Sequence, residues 1–89
     1  MTVTQDQIDR AVKIDRRYGA TRVLLFGSAL NDPETARDLD LAVDGIPGWD
    51  FFRMAAEMEE AVRVPIDQIS LDADTWSTRR IRERGRLLL

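Results

Sequence analysis

The sequence predicts an α/β fold: a small mixed β-sheet of three main strands flanked by helices, with a short C-terminal strand available to extend it. Three observations carry this. Short β-prone apolar runs, Val23-Leu24-Leu25-Phe26, Leu41-Ala42-Val43 and Val64-Pro65-Ile66-Asp67-Gln68-Ile69, are bounded by polar or turn residues. Helical apolar periodicity precedes the first run and separates the second from the third. Between the first two runs lie Gly27-Ser28, nine residues, then Asp38-Leu39-Asp40.

The first helix is expected over Thr4–Tyr18. Thr4 is a fitting N-cap with Gln7 three residues on, a capping box, and Gly19 is a fitting stop. Ile8, Ala11, Val12, Asp15 and Tyr18 share one largely apolar face. The first strand follows over Arg22–Phe26. A single helical turn capped by Ser28 comes next and ends at the Asn31-Asp32-Pro33 turn. The second strand spans Leu39–Asp44, and Gly45-Ile46-Pro47-Gly48 forms a loop. The second long helix, Asp50–Val62, has Phe51, Met54, Ala55, Met58 and Val62 spaced for burial. The third strand, Val64–Leu71, is reached through that helix and so runs parallel to the second. The last helix, Thr75–Arg84, stops at Gly85, and Leu87-Leu88-Leu89 offers the terminal strand.

Residues 1–89 make one domain with a modest core, so extra burial in an oligomer or hetero-complex is expected. Neither cysteine nor histidine is present, which excludes thiolate catalysis, a histidine base and most transition-metal sites. The N-terminus lacks a signal-peptide pattern and no apolar run approaches bilayer length, pointing to a cytoplasmic protein without membrane contact. The net charge of −3 argues against nucleic acid as a direct ligand. Arg79, Arg80, Arg82, Arg84 and Arg86 nevertheless crowd the last eleven residues, a basic tail suited to an anionic partner surface or a phosphate group.

Alternate strand residues face the same way, so Asp38 and Asp40 at the mouth of the second strand lie side by side. Paired carboxylates repel unless a cation neutralises them, and an all-oxygen set suits Mg²⁺ together with substrate phosphates. Gly27 at the end of a strand allows a sharp turn and close ligand approach. Ser28 and the turn after it offer phosphate donors. Both halves face one ligand only if the two strands run antiparallel.

Phe26-Gly27-Ser28 followed by Asp38-Leu39-Asp40-Leu41 resembles the signature of the DNA polymerase beta nucleotidyltransferase superfamily. Over nearly the whole chain it is similar to the minimal nucleotidyltransferases that pair with HEPN toxins. The resemblance implies the nucleotidyltransferase fold and a third carboxylate from a later strand, matched here by Asp67. It implies two Mg²⁺ ions held by Asp38, Asp40 and Asp67, with Gly27 and Ser28 on the phosphates of ATP. It further implies transfer of AMP to a hydroxyl, a tyrosine of the HEPN toxin, so that the chain acts as an antitoxin. Two positions depart from the pattern. Ala29-Leu30-Asn31-Asp32 replaces the basic residues that often follow Gly-Ser, and Ala36-Arg37 replaces Ser-Asp before Asp38. The alternative is a non-catalytic antitoxin that occludes its partner. Transfer to a small molecule such as an aminoglycoside ranks lower, since such relatives carry an added substrate domain.

Other features read as structural. Asp72-Ala73-Asp74 precedes a helix, where aspartate caps free N–H groups. A P-loop is excluded, because G-x-x-x-x-G-K-[ST] is missing and the only lysine is Lys13. Phe51 is expected in the core, Trp49 at the surface, Trp76 as a packing anchor, and Tyr18 in the core with its hydroxyl at the rim.

Overall fold

The computed structural model describes residues 2–89. Its elements are α1 (Gln5–Arg17), β1 (Arg22–Phe26), α2 (Ser28–Asn31), β2 (Leu39–Asp44), α3 (Gly48–Val62), β3 (Ile66–Ser70), α4 (Trp76–Arg84) and β4 (Arg86–Leu87). The sheet order is β3-β2-β1-β4. β1 pairs antiparallel with β2 and with β4, while β2 and β3 run parallel, as expected for strands joined through α3. No helix among the described residues is long and apolar enough to cross a membrane.

Strand alternation divides the sheet into two faces. Val23, Leu25, Leu39, Leu41 and Val43 meet Ile8, Ala11 and Ile14 of α1 and Met54, Met58 and Val62 of α3 in the main core. The opposite face is smaller: Leu24, Ala42 and Leu71 pack with Phe26, Ile69 and Ile81, the last from α4. Gln7 Nε2 also donates to the Val62 carbonyl, tying α1 to the end of α3.

The Thr4–Gln7 capping box forms as expected. Helix α3 begins at Gly48 rather than Asp50, because the Asp50 amide already bonds the Pro47 carbonyl. It ends where Arg63 adopts the left-handed region at φ 61°. Strand β3 is shorter than expected. Pro65 has no amide to donate, and its carbonyl only receives the Leu39 amide ahead of the regular ladder. Ala55 is exposed rather than buried, since the face of α3 that meets the sheet is narrower than its apolar stripe.

Two capping assignments are corrected. Gly27, at φ 72°, is the N-cap of α2, and Ser28 is already the first helical residue, with no side-chain cap. The cap of α4 is Thr75, whose Oγ1 accepts the Thr78 amide while Thr78 Oγ1 receives the Thr75 amide. Asp72 and Asp74 therefore lie outside the cap; Asp74 makes only an exposed ion pair with Arg79 at 3.4 Å. Two threonines each offer an acceptor and stand three residues apart, so they close the box without a carboxylate. We expect Thr75→Ala to lower stability by about 0.5–2 kcal/mol. Asp74→Asn should change it by less than roughly 0.5 kcal/mol, as read from urea midpoints.

Asp15 is the exception on the core face of α1: it is 0 % exposed. Gln68 Nε2 on β3 donates to Asp15 Oδ1 and also contacts Met54 Sδ at 3.0 Å, while Asp15 Oδ2 and Gln68 Oε1 are buried without partners. Burial pushes the Asp15 carboxyl up to about 7, and the Gln68 hydrogen bond opposes this only in part. The folded state thus holds the proton more tightly than the unfolded chain does. Stability contributed at this site is complete below the ordinary value of 3.8, falls as pH rises towards about 7, and levels off above it. Asp15→Asn keeps the acceptor and removes the charge. It should be more stable than the parent at pH 8, with the gap shrinking as pH is lowered through 7 to 4, as measured by urea unfolding at each pH.

Candidate active site

Backbone register places the sequence-predicted site residues. Phe26 at the end of β1 pairs with Asp40 on β2, and Asp40 pairs with Asp67 on β3. Asp40 alternates with Ala42, and Asp67 with Ile69, so both carboxylates belong to the α4 side of the sheet. Asp38 shares their parity one residue before β2. The antiparallel β1–β2 pairing required for Gly27-Ser28 and Asp38-Asp40 to face one ligand is present.

Gly27 lies directly against Asp40. A Cβ at Gly27 would collide with the Asp40 carboxylate, and the backbone there is at φ 72°, a region that side chains disfavour. Asn31 Nδ2 donates to the Gly27 carbonyl at 3.1 Å, fixing the turn from α2. Ser28 is exposed at the start of that turn.

Asp40 is half-buried, whereas Asp38 and Asp67 are exposed. The Asp40 carboxyl is raised above the ordinary carboxylate range, first by burial, then by the negative charges of Asp67 and Asp38. Asp40 therefore senses both neighbouring charges. Among the described residues, no three Asp, Glu, His or Cys side chains are grouped closely enough to hold a metal ion. Asp40 and Asp67 share a face and a sheet end, and Asp38 stands near Asp40 just before β2, but the three do not close into one coordination sphere. Their chemistry nonetheless fits a hard divalent cation: the donors are all oxygen and their negative charges repel.

A cavity of about 340 Å³ adjoins this cluster, between the β1–α2 turn and α4. Phe26, Gly27 and Asn31 form one wall, and Trp76, Arg80 and Arg84 form the other. Trp76 is 70 % exposed, so it is not the packing anchor expected of it; its indole instead carries the Arg80 guanidinium 5.4 Å from the ring centroid. Trp49 and Phe52 are 84 % and 87 % exposed on α3, Trp49 as expected, while Phe51 packs half-buried against the core. Tyr18 also packs there, and its hydroxyl reaches Glu57 at 3.3 Å.

No family model and no curated protein matches the chain. Solved structures do. A crystal structure of the toxin–antitoxin MntA-HepT matches with a TM-score of 0.73 at 20 % identity, over 97 % of this chain and 72 % of that one. A toxin–antitoxin structure with AMP-PNP matches at 0.74 and 21 % identity, over 94 % of this chain and 71 % of the other. The fold of this chain is the one these structures share, a mixed four-stranded sheet flanked by helices, the α/β class that the sequence predicts.

The geometry makes Gly27 the least replaceable residue of the site. Gly27→Ala should displace the Asp40 side chain and strain the turn, costing on the order of 1–3 kcal/mol. Ser28→Ala, at an exposed position one residue on, should leave the melting temperature within a few degrees of the parent. Thermal denaturation of the two variants side by side checks this.

Proposed function

We propose that this chain is a Mg²⁺-dependent nucleotidyltransferase that moves AMP from ATP to a hydroxyl, a tyrosine on a HEPN toxin, and so acts as an antitoxin in the cytoplasm, where ATP is supplied. The observation that carries the reading is the ladder Phe26–Asp40–Asp67, with Gly27 pressed against Asp40. The likeness to MntA-HepT, including a structure with AMP-PNP, supports the nucleotide and the toxin partner. Exposed Trp49 and Phe52 give a protein partner apolar surface to cover.

Asp38, Asp40 and Asp67 would hold Mg²⁺, which supplies the positive charge that a triphosphate needs to be bound beside carboxylates. Asp38 and Asp67, being exposed, are free to turn towards the half-buried Asp40. Gly27 lets the phosphate chain approach the backbone, and Ser28 offers it a hydroxyl. The acceptor oxygen attacks the α-phosphorus, the bond to the bridging oxygen breaks, and pyrophosphate leaves with that electron pair. Asp67, on the open edge strand β3, takes the acceptor's proton and passes it to water. The chain's contribution is positioning and a fixed electrostatic field, which calls for no histidine.

Occlusion without chemistry is the second reading, favoured by Ala29-Leu30-Asn31-Asp32, which brings no cation to the phosphates. Incubation of the HEPN partner with the chain, ATP and Mg²⁺ separates the two. Intact mass spectrometry should then show one added AMP that persists after the proteins are parted. The Asp38→Ala/Asp40→Ala double variant should add none and should fail to neutralise the toxin. Neutralisation by that variant as complete as the parent's would establish occlusion.

A further inference from the structure

The five arginines of the C-terminal segment are not equivalent. Arg79 pairs with Asp74, and Arg82 reaches Asp44 at 3.6 Å and the Leu71 carbonyl at 2.9 Å. Arg80 and Arg84 have no ion pair among the described residues, and both line the cavity beside Gly27. Spaced four apart on α4, they stand on one helix face, where like charges repel. No acidic side chain lines the cavity with them. A cleft results that is cationic on the α4 side and anionic beyond Gly27, where Asp40, Asp38 and Asp67 lie. A polyphosphate whose reacting end sits near carboxylates and a cation needs positive charge along its remaining length.

We propose that Arg80 and Arg84 are the phosphate grip of this site, supplying from α4 the positive charge that the segment after Ser28 lacks. Trp76 holds Arg80 at the wall by stacking beneath its guanidinium. Both arginines are positioning residues that set affinity for the nucleotide's polyphosphate. This deepens the nucleotidyltransferase reading and rests on it for the identity of the ligand, although not for the anion site itself.

Calorimetric titration of the whole chain with inorganic tripolyphosphate, and separately with ATP, both in EDTA, tests the grip without the metal. The parent should bind both. Arg84→Gln should weaken each roughly tenfold, and Arg80→Ala/Arg84→Ala by about a further tenfold, the range expected for charge-assisted contacts. Arg80→Lys/Arg84→Lys should retain most of the affinity, and Arg79→Ala all of it. Asp38→Asn/Asp40→Asn should bind as well as the parent or more tightly, since its carboxylates no longer repel the anion. Parent-like affinity in Arg84→Gln and in the alanine pair, or no binding of tripolyphosphate to the parent, would overturn the proposal. If AMP transfer persists while the arginine variants bind ATP normally, the grip is wrong and the transferase reading stands. If the arginines hold tripolyphosphate but no nucleotide reaches the partner, the anion site stands and the transferase reading falls.

Discussion

Everything at the candidate site depends on one register. With Phe26 opposite Asp40 and Asp40 opposite Asp67, the last residue of β1 and the first carboxylates of β2 and β3 meet at one end of the sheet. A slip of one residue would turn each carboxylate into the main core and each core leucine out of it. Leu39, Leu41 and Val43, all buried against α1 and α3, hold that register in place. The hydrophobic pattern that folds the protein is thus the same pattern that presents its acids. The turn after β1 must then pass over Asp40, and a glycine at positive φ is what the space allows.

Much of this was legible because strand periodicity is local. The bounds of β1 and β2 follow from apolar runs ended by Gly27 and Asp44, and the Thr4–Gln7 box marks α1 through its own side chains. What was not legible depends on chain segments distant in sequence. Trp76, opening the last helix, reads as a packing anchor, yet α4 meets the sheet through Ile81 and the indole is exposed beside a cavity. The caps of α2 and α4 differ from expectation because several suitable residues stand in a row there, and backbone angles choose between them. The arginine tail was visible as an anionic-ligand signal, but that Arg79 and Arg82 are paired while Arg80 and Arg84 face the cavity follows from the positions of Asp44 and Asp74 and from the packing of α4.

The Asp15–Gln68 contact shows what the small core tolerates. A carboxylate that is 0 % exposed, with one oxygen lacking a partner, is an expensive feature in a chain of 89 residues. It joins α1 to β3 at the residue after Asp67. Because β3 is an edge strand paired on one side only, a bond from its core-facing side chain to α1 restrains the strand that carries Asp67. Site geometry and fold stability meet at this position.

The distribution of charge bears on whether the chain is an enzyme or an occluding binder. Asp38, Asp40 and Asp67 repel one another, and Asp40 is additionally desolvated, so their grouping works against the fold. Arg80 and Arg84 repel in the same way on α4. An occluding surface has a cheaper solution available, since opposite charges interleaved along the cleft would be stable with nothing bound. Segregation leaves each cluster uncompensated until a ligand arrives that is itself divided, with a cation at one end and a polyphosphate along the other. A metal-bound nucleotide has that division, and its binding would relieve both repulsions together. On the proposed reading, the cleft would give up stability of its own to suit such a ligand, the trade that a catalytic site makes and a simple docking surface does not require.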